Sequence, residues 1–189
     1  MRMSLKKISL SLILLTLVIV SSFAQKQAIQ APEMPVDEST KLITYTGVVE
    51  VKAMNKNELY KRGLEWFNVY YKNPSDVIRE KDSINFKIVG KSRFKIFREA
   101  NENGVKMDGG LIQYTIMVIC KDGRFKYELT AINWKQQSYY PIEKWIAEKE
   151  RYKEYSWYLS QTDTMMKEVV KNLETAMKTT PKANNKDNW

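Results

Sequence analysis

Histidine is absent from the 189 residues, and cysteine occurs once, as Cys120. The first absence removes the commonest general base and the commonest metal ligand. The second excludes an intramolecular disulfide, a Cys-rich zinc site and an iron–sulfur centre. Glycine (7) and proline (5) are scarce, so collagen-like and low-complexity repeats are excluded. No phosphate-binding glycine loop and no Gly-x-Ser-x-Gly elbow occurs. What is present is an ordinary globular composition, 43% hydrophobic and 28% charged, enough for one domain with a core that stands without disulfides.

The N-terminus reads as an export signal over residues 1–24. Arg2, Lys6 and Lys7 precede the apolar run Ile8 to Val20, and Ser22 and Ala24 are small residues at the −3 and −1 positions of a cleavage site. The run is about 13 residues long, against roughly 20 for a stable membrane anchor. The alternative is an uncleaved N-terminal anchor. No cysteine follows the run, which closes the lipoprotein route. Three basic residues and no acidic one lie in this segment, so it holds a third of the formal charge of +9. An exported chain does not ordinarily meet DNA or RNA. A cysteine-poor exported chain suits a Gram-negative envelope, in the periplasm or outside the cell.

Residues 25–41, with Pro32 and Pro35, read as a flexible lead-in. From Ile43 the residues Ile43, Tyr45, Gly47, Val49, Val51 and Ala53 share one parity, the mark of a strand with one buried face. Asn55 can cap a helix whose stripe is Leu59, Gly63, Trp66, Phe67 and Tyr70, ended by Asn73-Pro74. Gly63 within that stripe implies close approach of the helix to the sheet. Val77 to Lys81 reads as a short strand. Phe86, Ile88, Gly90, Phe94 and Ile96 form the inner face of a longer one, bent at Gly90. Asn101 to Gly110 reads as a loop.

Leu111–Cys120 and Phe125–Asn133 flank Asp122-Gly123, a pair favoured in type I′ hairpin turns. A two-residue loop pairs Cys120 with Phe125, Val118 with Tyr127, Ile116 with Leu129 and Tyr114 with Ala131, all on one face. Ile142, Trp145 and Ile146 suggest a short helix after Pro141. A last helix from about Thr162 carries Met166, Val169, Val170, Leu173 and Met177, with Pro181 beyond its end. The order strand, helix, four strands, helix predicts an α+β fold: an antiparallel sheet of about five strands with helices on one face. The core spans 42–134, an aromatic-rich segment and helix 135–180, and a polar tail 181–189.

Met34-Pro35-Val36-Asp37, Ile43 to Val49, Leu59-Tyr60, Glu65-Trp66, Ile88 to Lys91, Lys121 to Arg124 and Tyr127 together resemble an exported bacterial family, domain of unknown function 4468. The resemblance covers roughly residues 34–133 and implies a TATA-binding-protein-like (TBP-like) fold. It brings no activity, substrate, cofactor or catalytic residue, and a fold shared with a DNA-binding protein does not transfer DNA binding.

Few side chains invite a chemical role. Cys120 falls on the buried face with no histidine to activate it. Lys87, Lys91, Arg93 and Lys95 form a basic stripe, which suits an anionic surface or is simply the wet face of a strand. Tyr139, Tyr140, Trp145 and Trp157 belong to an aromatic cluster that either lines a ligand pocket or packs over the end of the sheet. The acidic residues form no convincing catalytic pair, although a carboxylate-only hydrolase needs no more than two. Neither a metal nor a cofactor is implied. The expectation is an exported, non-enzymatic domain that binds a protein or envelope component. The alternative is a carrier of a small apolar ligand or lipid between sheet and last helix.

Overall fold

The computed structural model describes residues 30–100 and 103–179. The signal segment and the tail from Pro181 lie outside them. The described residues from Ala31 onward form one unit.

The chain forms six antiparallel strands, of which β1, β3, β4 and β5 rest on alternating apolar residues: β1 Tyr45–Glu50, β2 Ile78–Asp82, β3 Lys87–Phe97, β4 Asp108–Lys121, β5 Arg124–Lys135 and β6 Tyr139–Pro141. Five follow the spatial order β1-β5-β4-β3-β2, and β6 pairs with β5. The α+β architecture agrees with the alternation of the sequence. The short β6 is an addition to the five strands expected, and β4 begins three residues inside the stretch read as a loop.

Helix α1 spans Lys56–Tyr70. The Asn55 side chain accepts the Glu58 N–H at 3.0 Å, so the first turn is capped as its sequence predicts. Its end differs from the expectation. Tyr71 is already extended, and Pro74 opens a further one-turn helix, α2 Pro74–Val77, where proline's missing N–H costs nothing. A second one-turn helix, α3 Glu143–Ala147, buries Ile142 and Trp145 but leaves Ile146 45% exposed. Helix α4 runs from Tyr155 to Lys178, beginning seven residues before Thr162. No side chain caps its start, so the sequence carries no local signal for it. Tyr158, Leu159 and Thr162 extend the buried stripe of Met166, Val169, Leu173 and Met177 upstream.

Both long helices cover one face of the sheet. The core between them is built from Leu59, Phe67, Ile88, Ile116, Leu129, Met166 and Leu173, each with no exposed surface. Two glycines set the spacing. A Cβ at Gly90 would lie 2.5 Å from Phe67 Cε1, and one at Gly63 would lie 2.9 Å from Ile88 Cδ1. Gly90 is thus the seat of an α1 ring; its pairing with Ile116 continues the β3–β4 ladder without interruption. The helices are cross-tied as well. Trp66 Nε1 donates to Asn172 Oδ1 at 2.8 Å, and Arg62 donates to the Met177 and Thr179 carbonyls at the end of α4. Those carbonyls have no partner within their own helix, so a buried cation is well used there.

The β4–β5 hairpin holds the expected register at three pairs: Cys120 with Phe125, Val118 with Tyr127 and Ile116 with Leu129. The fourth fails. A register shift between Gln113 and Thr115 sets Thr115 opposite Thr130 and Gln113 opposite Asn133. Ala131, at φ +50°, absorbs the extra residue, and Ile132 is buried beyond it. The turn is also not type I′, which needs positive φ at both central residues. Only Gly123 has it, at +75°. Asp122 instead turns its carboxylate to the Lys56 N–H at 2.8 Å, docking the hairpin on the start of α1.

The segment read as a flexible lead-in is part of the body from Ala31. Met34 is only 7% exposed, and Val36 bridges Ile43. The link is a turn held by the Asp37 carboxylate. Its Oδ1 accepts the Ser39 and Thr40 N–H groups at 3.1 and 2.8 Å and both hydroxyls at 2.7 and 2.9 Å. These bonds hold the Asp37 carboxyl down to about 2, the Thr40 N–H contributing most. Polar residues read as linker are here the donors of a closed turn.

Candidate functional site

Lys87, Lys91, Arg93 and Lys95 alternate along β3 on the face away from the helices. Cross-strand neighbours compensate two of them. Lys87 Nζ lies 2.8 Å from Glu80 Oε1, and Lys95 Nζ 3.9 Å from Asp108 Oδ2. The remainder of this face is mixed: Met117 and Ile119 are half-buried, and Lys126 pairs with Glu128 at 3.3 Å.

The aromatic segment separates into two groups. Tyr139 and Tyr140 stand exposed on β6, with Lys135 Nζ 5.0 Å and Lys144 Nζ 5.8 Å from their ring centres. Trp145 is 1% exposed, with Trp134 and Tyr158 each 5.4 Å away between ring centres, and so is a core residue rather than a surface contact. The cause is the Ala131 bulge: it returns Ile132 and Trp134 to the inner face, where α3 and α4 close over them. Trp157 is half-buried and donates from Nε1 to the Phe97 carbonyl at 2.8 Å. It borders a shallow hollow of about 320 Å³ between β3 and α4.

Cys120 is 2% exposed, and burial pushes its thiol up to about 12. A thiol so placed is neutral and shielded, unlike a nucleophile. Among the described residues, no three His, Cys, Asp or Glu side chains come together as a metal site. No helix among them is long and apolar enough to cross a membrane.

A larger hollow lies elsewhere, at the β1 edge of the sheet. It is an open groove of about 810 Å³ between β1, the 35–39 turn and the exposed flank of α4. Its construction begins at Gly47, where a Cβ would lie 2.6 Å from the Tyr127 hydroxyl. Without a side chain there, the Tyr127 ring crosses β1 and lines the groove. Val170 of α4, one turn from the buried Leu173, supplies apolar surface opposite, and Lys167, Lys171 and Glu174 share that flank. Pro35 and Val36 line it from the turn. Tyr45 ties the two sides together: its hydroxyl donates to Asp163 Oδ1 at 2.9 Å, and Asp163 Oδ2 meets Lys167 Nζ at 2.7 Å. Burial, then the Asp163 carboxylate, pushes the Tyr45 hydroxyl pKa up, so the phenol stays a donor.

Of the three carboxylates that line this groove, Asp37, Glu38 and Glu174, two are already engaged. Asp37 anchors its turn, and Glu174 Oε2 meets Lys178 Nζ at 3.2 Å. The groove was hard to see in the sequence, because one wall of it, from Pro35 to Ser39, is built by the segment that reads as a lead-in. The signal that could have exposed it is Gly47 beside Tyr127: in register, a glycine opposite a large ring implies that something lies across the strand.

Residues 45–135 match the model of a family described as a domain of unknown function, DUF4468, with TBP-like fold. The resemblance carried by the sequence motifs is therefore shown from residue 45 onward, while Met34 to Asp37 lie outside the matched span. Two solved structures are similar. A DUF4468 family protein from Bacteroides ovatus is 18% identical, with a TM-score of 0.64 over 77% of this chain and 91% of that chain. A TBP-like protein from Parabacteroides distasonis is 17% identical, with a TM-score of 0.61 over 75% of this chain and 96% of that chain. At these identities the likeness shows the fold alone. No curated protein matches the chain.

Proposed function

We propose that this α+β body, whose segment 45–135 matches a family of unknown function, is an exported, non-enzymatic module that binds another protein of the cell envelope. The observation that carries the reading is the groove of about 810 Å³ at the β1 edge, beside a core filled by side chains such as Phe67 and Phe125. Recognition surface is gathered there without chemistry. Of the groove's acidic groups Asp37 holds a turn and Glu174 an ion pair, which leaves Glu38 without a second carboxylate to work with; the lone thiol is buried elsewhere, and the chain has no histidine. The partly compensated charge of the outer face suits a wet sheet surface better than a nucleic acid, whose binding draws on free cations. The N-terminal signal pattern supports export. Cys120 lies far beyond that segment, so the lipoprotein route does not apply.

The groove also admits a second reading. Its volume lies in the range of about 300–1,000 Å³ typical of small-molecule sites, and Val36, Tyr127 and Val170 give it apolar surface. A photo-crosslinking residue at position 170, introduced in the native host, separates the two. A discrete protein adduct is expected. Native mass spectrometry showing a co-purifying small molecule, with no protein adduct, overturns the protein-binding reading. N-terminal sequencing of the exported form checks localisation: the expected first residue is Gln25, and retention of residues 1–24 refutes cleavage.

A further inference from the structure

The sheet ends in two edges of different character. β2 presents Arg79, Glu80 and Lys81 to solvent and carries a register shift between Ile78 and Glu80. Charge and irregularity of this kind discourage a further strand. β1 reads Tyr45-Thr46-Gly47-Val48-Val49-Glu50, with no lysine, no proline and no shift in its pairing with β5.

The direction of its backbone groups follows from its neighbours. Val51 donates its N–H to the Gly123 carbonyl at 2.7 Å, and Tyr45, Gly47 and Val49 stand in the same phase against β5. Thr44, in the other phase, donates its N–H to the Pro35 carbonyl at 2.8 Å, on the opposite side. Thr46, Val48 and Glu50 therefore direct N–H and C=O away from β5, and no backbone partner among the described residues meets them there. Val48 is 61% exposed. The groove runs beside this same edge.

We infer that β1 accepts an extended segment of a partner protein as an added strand, with apolar side chains at every second position entering the groove. The inference rests on the binding-module reading and specifies its mode. Side chains of a strand alternate between faces, so one set of an added strand's side chains turns towards Tyr127 and Val170 while its backbone pairs with Thr46, Val48 and Glu50. A second copy of this chain fits less well. The inward residues of its β1, Tyr45 and Val49, are already buried in their own core and would leave the groove unfilled. The occupant is thus a segment whose inward apolar side chains are free before it binds.

The test pans a displayed library of random dodecapeptides on the purified protein. Enriched peptides are expected to carry apolar residues at i, i+2 and i+4, and to slow amide exchange at Thr46, Val48 and Glu50. Val48→Pro deletes an outward N–H and spares the bonds to β5, so it is expected to weaken binding roughly tenfold or more. Val170→Asp, on the groove flank, is expected to weaken the same peptides with the β1 edge intact. Should Val48→Pro misfold, Val170→Asp and the exchange measurement on the unaltered protein still decide. Peptides that bind and leave those three amides unprotected overturn strand addition, while the binding-module reading stands. Self-association that protects the same amides without peptide overturns the choice of occupant. Failure to enrich any sequence overturns strand addition, and the crosslink at position 170 then judges the broader reading by itself.

Discussion

Replacing Gly90 by alanine tests the contact on which the helix–sheet spacing depends. The new methyl would stand 2.5 Å from Phe67 Cε1 and 3.2 Å from Ile116 Cγ2. Carbon atoms rest at about 3.5–4.0 Å, so ring and methyl must separate by roughly 1 Å. Phe67 has little freedom to retreat. It has no exposed surface, and Trp66 and Tyr71 stand 5.0 and 5.6 Å from it between ring centres. Overpacking of this type costs about 1–3 kcal/mol. The loss of unfolded-chain freedom on replacing glycine returns about 0.4–1 kcal/mol. The net expectation is a destabilisation of about 1–2 kcal/mol, which lowers the urea midpoint by about 0.5–1 M at an m value of about 2 kcal/mol/M. The control is Phe67→Leu, which by itself leaves a cavity and costs roughly 1–2 kcal/mol. In the double variant the smaller side chain makes room for the methyl. The combined loss should then fall short of the sum by about 1 kcal/mol. An unchanged or raised midpoint for Gly90→Ala, or strict additivity with Phe67→Leu, would refute the reasoning.

The other expectations use different parts of the molecule. Gly63→Leu should destabilise by about 1–3 kcal/mol in urea despite leucine's better helix propensity, because its Cβ alone meets the buried Ile88 methyl at 2.9 Å; a stabilised variant would remove α1 from the sheet. The Asp37 carboxyl is held below its ordinary value of 3.8, so the stability it contributes is fully present above that value and is lost as pH falls through about 2. Asp37→Asn should abolish this part of the acid dependence in circular-dichroism titrations, and an unchanged profile would count against the turn as its source. Cys120, buried with its thiol pushed up to about 12, should resist maleimide at pH 8 until denaturant unfolds the chain; prompt labelling of the native protein would contradict its burial.

The fold was legible wherever one local pattern decided it. The stripe Leu59, Gly63, Trp66, Phe67 faces the sheet, and three hairpin pairs hold because two-residue alternation and turn length agree. Departures arise where tertiary contacts outrank local preference. Ala131 takes positive φ, a conformation no alanine advertises, and the Asn133 side chain braces it by donating to its carbonyl at 2.6 Å. Arg62 is charged, yet is buried because the last carbonyls of α4 need donors. The early start of α4 was hidden by the missing cap. Of the candidate surface residues, the basic stripe lies together as its parity requires, whereas Trp145 is internal because a bulge changes which residues of β5 face inward. The groove left only the Gly47–Tyr127 pairing as a trace in the sequence, since its other wall depends on where Met34 to Ser39 fold back.

Strand order has a consequence for the timing of assembly. β3, β4 and β5 form a meander of sequence neighbours, but β1 must pair with a strand far along the chain: the Thr46 hydroxyl meets the Tyr127 carbonyl across 81 residues. Closing so long a loop is entropically unfavourable until the meander exists to receive it. β1 is therefore placed to dock late in folding and to detach early under mild denaturant, carrying its open edge and one side of the groove with it. Recognition at that edge would then be available only to a chain whose sheet is already complete, and a bound strand would raise the free energy of the first opening event before it altered the last.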